Sequence, residues 1–98
     1  MNLNDVVSQM ELSERPITHL IHKSDSSKII AIGLKKGVSL NEHKSPGPAN
    51  IVVIKGAISY KANSKLVELR TYDEFQIPID EIHSVTGIEN AVFLLVVG

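Results

Sequence analysis

The feature that most restricts what this chain can fold into is its rhythm. From Ile17 onward, short aliphatic and β-branched runs alternate with clusters of Ser, Asp, Asn, Pro and Gly. Runs of about five to seven residues suit strands, and turn residues at such intervals reverse the chain before a helix can lengthen. Ile17–His22 and Lys28–Leu34 flank Ser24-Asp25-Ser26-Ser27, while Gly37–His43 and Asn50–Lys55 flank Ser45-Pro46-Gly47-Pro48. Gly56 divides Asn50–Lys55 from Ala57–Ala62, and Asn63-Ser64 provides the next tight turn. Lys65–Arg70, Glu74–Pro78, Glu81–Val85 and Val92–Val97 complete the set. Several runs alternate with period two: Ile58, Tyr60 and Ala62 against Ser59 and Lys61, and Val67 and Leu69 against Glu68 and Arg70. Such strands bury one face. Val92–Val97 is apolar on both faces, as a strand covered on both sides would be. The expected class is all-β, an antiparallel sandwich or barrel.

Only the start departs from this rhythm. Asn4 is placed to cap a short helix running through Asp5, Val6, Val7 and Met10 to Glu11, and Ser13-Glu14-Arg15-Pro16 ends it, because the residue before proline avoids helical geometry. We therefore divide the chain into residues 1–15, an N-terminal segment with one short helix, and residues 16–98, a single barrel domain. Ninety-eight residues leave no room for a second core.

Charge and cysteine content remove several function classes. Ten basic against eleven acidic residues offer no surplus for phosphate contacts, so no nucleic-acid partner is expected. Without cysteine there is no disulfide, thiolate metal site or cysteine nucleophile. The longest apolar run, Ala91–Val97, is far shorter than the roughly 20 residues of a membrane helix, and the first residues lack the pattern of a leader. A cytoplasmic protein with no membrane partner is the expectation.

One spacing carries more. Gly37 is followed by five residues and His43, then by Ser45, by Ala49 after three more, and by Gly56 after a further six. Downstream, Tyr72 is followed by five residues and Pro78, then by Asp80, His83 and Gly87. This resembles the two motifs of the cupins: Gly, five residues, His-x-His, three or four residues, Glu, six residues, Gly; and Gly, five residues, Pro-x-Gly, two residues, His, three residues, Asn. Gly37, His43, Gly56, Pro78 and His83 match in register. The resemblance implies a cupin or jelly-roll antiparallel barrel, with His43 and His83 projecting from neighbouring strands into its mouth. It also implies a homodimer, since small single-domain cupins commonly pair through sheet edges.

The departures bear on function. In the family, the two histidines of the first motif, its glutamate and the histidine of the second bind a divalent metal. Here Ser45 and Ala49 replace two of those ligands. A catalytic metal normally has three protein ligands and an open position. No cofactor is therefore expected, a divalent metal held by His43 and His83 being the one the resemblance leaves open. The candidate ligand-binding set is His43, Ser45, Gln76 and His83, with Gln76 or Glu81 as further donors if strand parity allows. No catalytic residue is assigned: Ser45 has no local acidic partner, and Glu42 faces away from His43. His19 and His22, three apart on one strand, are expected on opposite faces. Tyr60, Tyr72, Phe75 and Phe93 are read as core or interface residues. Three functions follow. The preferred one is a non-enzymatic small-molecule-binding or sensing module, with the barrel interior as its pocket. The others are a metal-dependent isomerase or oxygenase using His43 and His83, and a packed structural or regulatory subunit.

Overall fold

The computed structural model describes all 98 residues. It contains one helix, α1 (Leu3–Met10), and nine strands: β1 (Ile17–Lys23), β2 (Lys28–Leu34), β3 (Ser39–His43), β4 (Ala49–Lys55), β5 (Ala57–Ala62), β6 (Lys65–Arg70), β7 (Glu74–Ile77), β8 (His83–Gly87) and β9 (Ala91–Val97). All pairings are antiparallel. One sheet has the order β1-β2-β9-β4-β7 and the other β3-β8-β5-β6. The all-β reading thus holds, and each strand falls within a residue or two of its expected run. The doubly apolar β9 lies between β2 and β4, as its composition requires.

The core occupies the space between the sheets. Ile32, Leu34, Ile51, Val53, Ile58, Tyr60, Val85 and Phe93 form its centre. Each alternates with a more exposed or outward-facing neighbour, so the period-two pattern is the pattern of burial. Gly37 and Gly56, at turns, take φ of 85° and 79°, which glycine adopts at no steric cost. At Gly56 a side chain is doubly excluded, because a Cβ would lie 2.1 Å from the Asn90 carbonyl oxygen.

Two local expectations need correction. The helix is capped by Asn2, not Asn4. The Asn2 side chain accepts from the Asp5 N–H at 3.1 Å, and the Asp5 carboxylate accepts from the Asn2 N–H at 2.9 Å. This reciprocal pair needs an acidic residue three positions after the cap, which Asn2 has in Asp5 and Asn4 lacks. In β1, the register slips between Leu20 and His22, so that His19 lies opposite Ala31 and His22 opposite Ile29. Cross-strand partners share a face, and Ala31 and Ile29 are two apart. The bulge therefore returns His19 and His22 to one face rather than opposite ones.

Candidate functional site

His43 ends β3 and His83 begins β8, and the two are direct cross-strand partners. Their rings meet edge to face, with centroids 4.2 Å apart. His83 is only 1% exposed, whereas His43 is half-buried and lies nearer solvent. Each imidazole is fixed the same way. His43 Nδ1 lies 2.8 Å from the Asn41 carbonyl and His83 Nδ1 2.9 Å from the Glu81 carbonyl, two residues upstream in both cases. A carbonyl only accepts, so both Nδ1 atoms carry the proton. In the neutral rings each Nε2 then keeps a lone pair, and neither Nε2 is bonded to the protein.

Behind the pair lies a layer whose aromatic members the sequence offers only as core or interface residues. The Tyr60 ring stacks on His83 at 4.9 Å and 22°, and Phe75 packs on the Tyr60 ring at 4.6 Å. The Tyr60 hydroxyl donates to Glu81 Oε1 at 2.8 Å, and Lys65 Nζ lies 3.2 Å from the same carboxylate oxygen. Glu81 thus serves the site twice, with its carbonyl orienting His83 and its carboxylate locked to Tyr60 and Lys65. The Tyr60 bond holds the Glu81 carboxyl below the usual range, with Lys65 adding to the effect. Burial, then the bond to Glu81, pushes the Tyr60 phenol well above its ordinary value, so it remains a donor. Burial also lowers His83, opposed by its bond to the Glu81 carbonyl and reinforced by His43 alongside. The proximity of Glu81 to His83 was visible in the sequence. The reach of Tyr60 across to Glu81 is a tertiary fact.

The remaining sequence candidates do not converge on the rings. Gln76 is exposed on the outer face of β7, opposite Asn50, because its neighbours Phe75 and Ile77 turn inward. It is removed from the candidate site. Ser45 follows β3 in the loop to β4, where its carbonyl accepts from the Asp80 N–H at 2.9 Å. Its side chain borders a surface cleft that neither histidine lines. Tyr72, read as core or interface, is 83% exposed. The space between the sheets is filled with side chains, and none of the surface clefts is lined by His43 or His83.

No family model matches the chain, and no curated protein is significantly similar to it. Solved structures are. An RmlC-like cupin protein from Desulfovibrio desulfuricans superposes with a TM-score of 0.79 at 24% identity, over 87% of this chain and 83% of that one. A cupin superfamily protein from Desulfitobacterium hafniense gives 0.79 at 18% identity, covering 84% and 75%. A cupin-2 domain protein from Shewanella frigidimarina gives 0.77 at 13% identity, over 98% and 91%. The fold is the cupin fold.

At the cupin ligand positions, this chain offers two imidazoles and nothing further. Ala49, in place of the glutamate, is 1% exposed and buries its methyl group in the core. Glu81 is committed to Tyr60 and Lys65, and Gln76 faces outward. Nowhere do three His, Asp or Glu side chains gather as a metal would require. Two nitrogen donors without a carboxylate or third imidazole do not fit a resident catalytic metal, which takes three protein ligands.

Proposed function

We propose that this cupin-fold domain is a non-enzymatic small-molecule-binding or sensing module whose polar contacts are made by His43 and His83. The observation that carries this reading is the paired commitment of both Nδ1 atoms to backbone carbonyls, which leaves the Nε2 of each of two touching rings as an acceptor. Such a pair suits a ligand that brings hydrogen-bond donors, a hydroxyl or an amine, and His43 is the ring it meets first. Because the interior is packed, the ligand would sit at the mouth of the barrel rather than within it.

The test is a fragment screen of hydroxylic and amino compounds read by the ring ¹⁵N resonances of the two histidines. A hit should shift both Nε2 signals and lose binding in the His43→Ala, His83→Ala double variant. Binding that persists in that variant rules the histidine site out. The same Nδ1-to-carbonyl arrangement also orients metal-binding histidines, so a metal-dependent enzyme is the second reading to test, although the two rings alone fall short of a catalytic ligand set. That alternative requires about one divalent ion per chain after purification without chelator, lost on His43→Ala.

A further inference from the structure

A second site lies on the loop side of the barrel, and it does not depend on the histidine reading. A cleft of about 450 Å³ opens between the Lys44–Pro48 loop and the ends of β2 and β9. Ile30, Leu95 and Val97, all packed against the core and only partly buried, form its apolar floor. Lys28 and Lys44 stand on its rim, no acidic side chain lines it, and Gly98, the last residue of the sequence, closes one end through its N–H bond to the Pro48 carbonyl. Neither lysine forms an ion pair. Ser45, also on the lip, makes no hydrogen bond with its hydroxyl. The loop itself is held in place by its prolines and by the bond from the Asp80 N–H to the Ser45 carbonyl.

We propose that this cleft binds a small organic anion with an apolar body, a carboxylate being the simplest form. The apolar part lies on Ile30, Leu95 and Val97, and the carboxylate meets the ammonium groups of Lys28 and Lys44 with the Ser45 hydroxyl as donor. Charge selects the occupant. A neutral apolar ligand leaves two unpaired ammonium groups at its edge, and a cation is repelled by them. The volume lies within the range of small-molecule sites, which begins at about 300 Å³.

The experiment titrates octanoate and octanol into the intact chain, followed by backbone amide shifts and calorimetry. Octanoate should shift Ile30, Ser45, Leu95 and Val97, and octanol should bind at least several-fold more weakly. The Lys28→Gln, Lys44→Gln double variant should weaken octanoate roughly tenfold, the size of one modest charge-assisted contact. The Lys28→Arg, Lys44→Arg variant should largely retain it. The Lys55→Gln, Lys61→Gln double variant, an equal charge loss on two exposed lysines outside the cleft, should have no effect. Equal binding of octanol, shifts confined to other surfaces, no binding at millimolar octanoate, or a second copy of the chain seated over Ser45 would each overturn the proposal.

Discussion

Two residues stand where the cupin motif has glycine, and both adopt the conformation that glycine exists to supply. Tyr72 has φ of 73° and Asp80 of 61°. Each is the third residue of a tight turn, closed by Asp73 N–H to the Arg70 carbonyl and by Glu81 N–H to the Pro78 carbonyl. That position in a type II turn requires positive φ. A left-handed non-glycine residue costs about 1–2 kcal/mol, less for Asp than for Tyr. The Tyr72 ring is 83% exposed and recovers little by packing. Tyr72→Gly should therefore raise stability by about 0.5–1 kcal/mol, after the added chain entropy of glycine is deducted, and Asp80→Gly by less. A higher urea midpoint at unchanged slope would establish both, and a lower one would show that the side chains make compensating contacts. His83 gives a prediction in pH. Its folded pKa lies below the ordinary 6.5, chiefly through burial, so the unfolded chain binds the proton more readily. Stability should be complete above about pH 6.5 and fall as pH drops from there through the lowered value. Glu81, also lowered, but from 4.5, adds a separate loss that begins only near that pH. Urea midpoints between pH 7 and 5 should decline for the native chain and flatten for His83→Asn, and an unchanged slope in that variant would assign the titration elsewhere. The histidine pair was legible from spacing. The clamp behind it was not, because nothing local in the sequence tells that Tyr60 will reach the Glu81 carboxylate.

At the scale of elements, strands were readable wherever one face is buried, because alternation and burial are then the same signal. Ala57–Ala62 and Lys65–Arg70 were found to the residue for that reason. Readability failed where an element departs from regular repetition. The bulge in β1 adds a residue without disturbing composition, so the shared face of His19 and His22 left no trace in the sequence. The helix illustrates the opposite case, in which the element was visible and its support was not. Val6 and Met10 are fully buried against Ala31 and Val92 on the outer face of the larger sheet. Gly33 lets the helix approach, since a Cβ there would come within 2.8 Å of Met10 Cβ. An eight-residue helix is too short to persist by propensity alone, so this packing holds it. Met10→Ala should cost about 2–4 kcal/mol, in the range for emptying a buried methionine site. It should also speed amide exchange across Leu3–Met10 while leaving β5 and β8 protected. Equal loss of protection in all three would mean that the helix and barrel unfold as one unit.

For the whole molecule, the open question is what covers the edge of the larger sheet. β1 is one of its two terminal strands, and Leu20 and Ile21 on it are 51% and 42% exposed. Both facts favour association. The bulge between Leu20 and His22 acts against one form of it, because it breaks the regular row of donors and acceptors that a second strand would join. We therefore expect two chains to meet through the side chains of Leu20 and Ile21, with no continuous sheet across the interface. Sedimentation should give twice the 10.7 kDa chain mass. Leu20→Lys should yield a monomer with β1 still paired to β2, since the exposed side chain contributes little within one chain. In the native dimer, β1 amides that point away from β2 should exchange as fast as they do in that monomer. Their protection in the dimer would instead show ladder pairing despite the bulge. A native chain that sediments at 10.7 kDa would leave the bulge itself as the device that keeps this edge single.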